Sequence, residues 1–288
     1  MTKKCIFVDV FTDKPYGGNQ LAVFPEINEL TTEQMQTLAN EINYSETTFV
    51  LQQYSQEADF SVRIFTLKRE LPFAGHPILG TAFVLMQQGK WEDQLKLKTK
   101  VGVIPLKKEN GEIWMSQNPP EFFEQYDDKQ EIADLIGLSP DDISDDIPVE
   151  AVSTGNKMLI IPIKKLSAIQ RAYGSPKKYK EFYEEHGVIG PYLFTLETTN
   201  MTARVHTRFF APHLGIIEDA ATGSAAGPLT GYLLKHDVFG RSFEIINEQG
   251  IEMGRPAQIH MRGMLNNGAY TVEIGGQCAH VGEGMFTI

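Results

Sequence analysis

Two segments of this chain are apolar on every side of a helix. In residues 77–88, Ile78, Leu79, Ala82, Phe83, Val84, Leu85 and Met86 leave almost no polar stripe, and Ala225, Ala226, Leu229, Tyr232, Leu233 and Leu234 do the same in residues 225–234. A helix that is apolar all round has to be enclosed by protein. Pro228 then belongs near the first turn, where its missing N–H matters least. Each segment follows the same succession of parts. In the first, Arg63-Ile64-Phe65 leads through the acid Glu70 to Ala74-Gly75-His76; in the second, Arg208-Phe209-Phe210 leads through Asp219 to Thr222-Gly223-Ser224. Gly75 and Gly223 are 148 positions apart in a chain of 288. The repeat predicts two similar α/β halves, each with a sheet curled around one helix. The link is expected near Gln117-Asn118-Pro119-Pro120, with residues 1–117 plus 277–288 in one half and 118–276 in the other.

The rest of the pattern fits sheets with a few outer helices. Cys5-Ile6-Phe7-Val8, Leu21-Ala22-Val23-Phe24 and Thr47-Thr48-Phe49-Val50-Leu51 are short strand-like runs, and Phe60, Val62 and Ile64 alternate with Ser61, Arg63 and Phe65. Met35, Leu38, Ala39 and Ile42 recur at the spacing of one helical face, behind the caps Thr31 and Thr32. Residues 127–138 are acidic and helix-prone, and 141–146 read as a solvated loop.

Composition removes several classes of function. With 26 basic and 37 acidic residues the net charge is -11, which argues against a surface that tracks nucleic-acid phosphates. Hydrophobic residues at 42% are enough for a sizeable core without staples. Cys5 and Cys278 stand at opposite ends with no metal-binding spacing, as expected of a cytoplasmic protein. Asp9 ends the first apolar run short of a signal-peptide core, and residues 78–86 are too few to span a membrane, so a soluble protein with no membrane partner is expected. No nucleotide or metal motif is present.

The chemistry gathers at the two helix starts. Glycine lets backbone amides approach a ligand, and the first four amides of a helix lack internal partners and carry partial positive charge. If the repeat folds symmetrically, both starts can face one cleft and hold a small anion. The plainer alternative is a pair of ordinary caps, with Pro77 at the first helical position and Ser224 as N-cap. Glu46, in Tyr44-Ser45-Glu46-Thr47, stands where a helix hands over to a strand, a position where desolvation raises a carboxyl pKa toward acid/base use. His76 and Asp219 sit at the helix starts and suit positioning or polarising a substrate. Gly223-Ser224-Ala225-Ala226-Gly227 is not a hydrolase elbow, so a Ser224 nucleophile assisted by His76 or His213 has little support. Arg204, His206 and Arg208 share one strand face, either for an anionic ligand or, more commonly, as a solvated sheet face.

The blocks Asp9-Val10-Phe11-Thr12, Gly18-Asn19-Gln20-Leu21-Ala22-Val23-Phe24, Ser45-Glu46-Thr47-Thr48-Phe49, Arg63-Ile64-Phe65-Thr66, Glu70-Leu71-Pro72-Phe73-Ala74-Gly75-His76-Pro77 and Glu218-Asp219-Ala220-Ala221-Thr222-Gly223-Ser224-Ala225 resemble, in order, the phenazine-biosynthesis PhzF-like family. The resemblance implies the diaminopimelate-epimerase-like fold. That fold is an α+β chain of two pseudo-symmetric domains, each a curled, mostly antiparallel sheet wrapped around a central buried helix. It further implies a homodimer, no cofactor and no metal. The activity it implies is isomerisation of trans-2,3-dihydro-3-hydroxyanthranilate or another small carboxylate-bearing metabolite by a proton shift. By the same resemblance Glu46 is the catalytic acid/base, with His76 and Asp219. Gly75 and Gly223 hold the substrate carboxylate, Ser224 belongs to the site, and Asn19 lines it. Racemases on this fold need two thiols at the helix starts. Ala74 and Thr222 occupy those places here, so two-thiol stereoinversion is excluded. Gln20 and Leu67 depart from the family's usual prolines without touching this set. The competing function is a non-catalytic metabolite-binding protein that keeps the anion site.

Overall fold

The computed structural model describes residues 2–52 and 57–288; Met1 and residues 53–56, which the expected first half includes, lie outside the described residues. The chain divides into two compact units, Met1–Ser116 with Gly275–Ile288, and Gln117–Ile274.

In the first unit, Thr2–Val10 runs antiparallel to Cys278–Thr287 and to Asn19–Phe24. Asn19–Phe24 then pairs in parallel with Thr47–Gln52, which is antiparallel to Phe60–Phe65. Phe60–Phe65 pairs in parallel with Gln94–Thr99, which is antiparallel to Gly102–Glu109. The second unit repeats the alternation. Val149–Ser153 is antiparallel to Lys157–Pro162, which is parallel to Pro191–Thr195. That strand is antiparallel to Val205–Phe209, which is parallel to Ser242–Gln249, itself antiparallel to Ala257–Asn266. The same order of pair directions in both units is the pseudo-symmetry the repeat pointed to, on an α+β chain.

Parallel neighbours cannot be joined by a hairpin and need a crossover, which is why each unit carries helices at the same two connections. One crossover in each unit holds a long inner helix, Gly75–Gln87 or Gly223–Lys235, each 13 residues long and buried along nearly its whole length. Close packing against strands sets some residue choices. A Cβ on Gly80 would stand 2.5 Å from Leu21 Cδ2 and 2.8 Å from Val10 Cγ2, and one on Gly231 would stand 2.5 Å from Pro120 Cβ.

Both inner helices begin two residues earlier than the apolar runs suggest. Pro77 is therefore the third helical residue, and Pro228 the sixth. Pro228 lies beyond the first turn, and it removes the amide donor that the Ser224 carbonyl would otherwise meet four residues on.

The other crossover carries the outer layer. Thr32–Ile42 starts with a capping box between Thr31 and Gln34 and ends at Asn43, whose φ of 59° is left-handed. Met35, Leu38 and Ala39 pack on Ala22, Phe24, Phe49 and Phe65. Phe24 stacks on Phe49 at 5.0 Å, and Phe65 meets Phe49 edge-on at 5.4 Å. Each such side chain contributes about 1.5–3 kcal/mol by leaving water.

In the second unit Leu166–Ile169 and Pro176–His186 fill the equivalent connection, and Lys129–Ile136 joins them over Ala151, Leu159, Ile161 and Leu193. Asp128 caps Lys129–Ile136 within the acidic stretch expected to be helical. In the expected solvated loop, Asp145 is exposed and pairs with Lys129 and Lys164. Among the described residues no helix is long and apolar enough to cross a membrane.

Candidate active site

In the first unit three of the expected site residues come together. The left-handed turn at Asn43 ends the outer helix, and the chain passes through Glu46 into Thr47–Gln52. Thr48 Oγ1 lies 2.8 Å from Thr81 Oγ1, tying this strand to the inner helix, and the Thr81 hydroxyl also donates to the Pro77 carbonyl. Glu46 thereby faces the helix start. Its Oε2 lies 3.4 Å from Nε2 of His76, the second residue of that helix, while His76 Nδ1 is 3.2 Å from Asn19 Nδ2.

All three side chains are buried. Burial pushes the Glu46 carboxyl above the ordinary carboxylate range, only partly offset by a hydrogen bond from Ser45. Glu46 Oε2 has no hydrogen-bond partner among the described residues. A desolvated carboxyl of this kind exchanges a proton more readily near neutral pH than a solvated one. The N-cap is Ala74, which has no side-chain oxygen to satisfy the first amides of the helix.

The second unit brings Asp219, Thr222, Gly223 and Ser224 to the other helix start. The N-cap is Thr222 rather than Ser224, the second helical residue, and Thr222 does not cap. Its hydroxyl donates instead to Asp219 Oδ2 at 2.6 Å. Gln249 holds that arrangement: its Nε2 donates to Thr222 Oγ1 and to the Asp219 carbonyl, and its Oε1 accepts from the Thr222 amide and from the Tyr192 hydroxyl. A buried network of Tyr192, Thr207 and Asn247 continues beneath it. Both helix starts therefore lack a side-chain cap, one because Ala74 has nothing to offer and the other because Thr222 is engaged elsewhere. Such ends suit a carboxylate.

Gln249 was absent from the sequence reading. Its signal is the run Asn247-Glu248-Gln249 at the end of a strand, three consecutive polar residues that are all buried.

Other expectations need correction. The acid of the second half that matches Glu70 is Glu218, not Asp219. Arg63 grips Glu70 through Nε and Nη2, and Arg208 grips Glu218 in the same way. Glu70 and Glu218 are also 148 positions apart, the spacing of the two glycines.

Nor is the face of His206 and Arg208 a solvated sheet face or an anion site. Both are buried, and their charges are taken up by glutamates of the same unit. His206 Nδ1 lies 2.8 Å from Glu248 and Nε2 lies 3.1 Å from Glu252; burial opposes its charge, but the two carboxylates outweigh it and raise its pKa to about 9. Arg204 is exposed and lies over the Phe239 ring. His213 stacks near Tyr183, and neither of its ring nitrogens has a hydrogen-bond partner among the described residues, so nothing joins it to Ser224. Cys5 and Cys278 are free thiols, each pushed up to about 12 chiefly by burial.

Residues 8–284 match the family described as phenazine biosynthesis-like protein. Trans-2,3-dihydro-3-hydroxyanthranilate isomerase of Pseudomonas aeruginosa is 33% identical over 286 residues, covering 97% of each chain. A Bacillus anthracis phenazine biosynthesis protein of the PhzF family superposes with a TM-score of 0.92 at 30% identity, covering 100% of both chains. A hydroxyproline epimerase from Agrobacterium vitis, 11% identical, shares the fold with a TM-score of 0.65 over 99% of this chain and 92% of its own.

Proposed function

The chain belongs to the phenazine biosynthesis-like family and is an isomerase, and from that premise we propose that it shifts a proton within a small carboxylate-bearing metabolite of the trans-2,3-dihydro-3-hydroxyanthranilate type, with Glu46 as the acid/base and no cofactor. The observation that carries this reading is the buried Glu46 carboxyl beside His76 at an uncapped helix start.

In the proposed reaction Glu46 removes a proton from an acidified C–H. The electron pair moves along the adjoining double bond, and the protonated Glu46 returns the proton to the carbon at its far end. One C–H bond breaks and another forms, with no net change of oxidation state. In the first unit, backbone amides at the Gly75 helix start hold the carboxylate, His76 positions the polar groups and Asn19 lines the site; Gly223, Ser224 and Asp219 offer the corresponding set at the helix start of the second unit. The absence of a side-chain cap at either helix start supports the carboxylate role. The reading includes a cytoplasmic homodimer, whose mass light scattering measures directly.

The test is Glu46→Gln, which keeps the side chain's shape and removes its proton chemistry. With trans-2,3-dihydro-3-hydroxyanthranilate as substrate, turnover should fall by about 10³-fold or more while binding changes little. Unchanged turnover in the variant refutes the role of Glu46. Binding without turnover by the wild type leaves a metabolite-binding protein instead.

A further inference from the structure

Asn19 stands at the start of Asn19–Phe24, directly after Gly18, and pairs in register with Val10. Gly18 has a left-handed φ of 56°, and a Cβ there would lie 2.1 Å from the Val10 carbonyl oxygen. No other residue fits that turn without moving backbone, so the chain delivers the Asn19 side chain to one place. That place is against His76. The Asn19 amide presents Nδ2 to His76 Nδ1 at 3.2 Å, with both residues about 95% buried.

An amide nitrogen only donates. Nδ1 must then accept, and a neutral imidazole that accepts at Nδ1 carries its proton on Nε2. Nε2 is the atom that faces Glu46 Oε2 at 3.4 Å. The opposite hydrogen-bond chain, in which a protonated Glu46 donates to Nε2 and Nδ1–H donates to the amide oxygen, needs the Asn19 amide turned over.

We propose that Asn19 is a positioning residue: its amide holds His76 as the Nε2–H tautomer, so that the imidazole donates toward Glu46 and favours the carboxylate, the form able to accept a proton. This rests on Glu46 being the acid/base of the proposed reaction, and it gives Asn19 a task other than contact with substrate. At 3.4 Å the Nε2 to Glu46 contact is longer than a formed hydrogen bond.

The tautomer is measurable without any substrate. In the full-length protein with nitrogen-15 in its histidine rings, long-range proton–nitrogen correlation distinguishes a protonated ring nitrogen from a bare one, and His76→Gln identifies the His76 signals. At neutral pH the wild type should show Nε2 protonated and Nδ1 bare. Asn19→Asp, which replaces the donor by an acceptor, should move the proton to Nδ1 or leave both nitrogens protonated, and Asn19→Ala should give a mixture. With substrate, Asn19→Asp should lower kcat by about 10²-fold with KM nearly unchanged, because a wrong tautomer removes catalysis rather than binding. A wild-type His76 protonated on Nδ1 overturns the proposal, as does an unchanged pattern in Asn19→Asp; the wild-type spectrum decides even if the variants fold poorly. A raised KM at unchanged kcat makes Asn19 a substrate contact and likewise overturns it. The expected tautomer in a protein that does not turn over the dihydroanthranilate leaves this inference standing and removes only the proposed substrate.

Discussion

Arg208→Met should damage this protein far more than Arg63→Met, although the two arginines occupy matched places in the repeat. Arg208 has a side chain only 8% exposed, binds Glu218 through two nitrogens, and donates through Nη1 to the carbonyls of Ile169, Gln170 and Ala172. Glu252 lies 4.0 Å away on its other side. Methionine fills the stem but leaves a buried carboxylate and three carbonyls without that donor. Breaking a buried pair from one side costs about 3–5 kcal/mol. Arg63 is 26% exposed, and Glu70 keeps Lys100 at 2.7 Å when Arg63 is gone, so about 1 kcal/mol is expected there.

Urea unfolding followed by far-UV circular dichroism is the assay, because it reads the backbone of both units. With a slope of about 2–3 kcal/mol per molar urea, the Arg208→Met midpoint should fall by roughly 1.5 M. Replacing Glu218 by Gln in the same chain should recover part of that loss, since the stranded charge disappears. A midpoint shift for Arg208→Met no larger than that for Arg63→Met would show that the burial argument is wrong.

Two further outcomes follow from the same geometry. The pKa of His206 is raised from 6.5 to about 9, so its pairing with Glu248 and Glu252 stabilises the fold fully below pH 6.5 and is lost as pH rises through about 9. The contribution is on the order of 3 kcal/mol, and urea midpoints should therefore decline across that window in the wild type but stay flatter in His206→Gln; parallel pH profiles exclude the effect. Ala74→Ser should place a capping hydroxyl at a helix start whose backbone, φ -154° and ψ 140°, already has the N-cap conformation. The variant should be more stable by about 0.5–1 kcal/mol in the same urea assay and should have a higher KM for the carboxylate substrate, because the new oxygen competes for the amides; an unchanged KM argues against anion binding there.

Much of the fold was legible because its signals are local. The outer helix announced itself through Met35, Leu38, Ala39 and Ile42 and through the Thr31 cap. The inner helices showed as runs without a polar stripe, but the runs began two residues late because glycine and His76 are not apolar, although the backbone is already helical there. Of the site, Glu46, His76 and Asn19 were named from sequence, and the structure brings these three into contact. Gln249 was not, because its partners Thr222 and Asp219 are about 30 residues away in the chain and no pattern of spacing joins them.

The sequence by itself determined the two-fold plan: one buried helix per half, a glycine at each start, and no thiol at either, since composition and periodicity depend only on neighbours along the chain. Tertiary structure decided where each polar group spends its hydrogen bonds. It paired Arg208 with Glu218 rather than leaving it to solvent, buried His206 between two glutamates, and turned Thr222 away from its own helix toward Asp219. A polar side chain has several acceptable partners, and only the strands and turns that surround it in space choose among them.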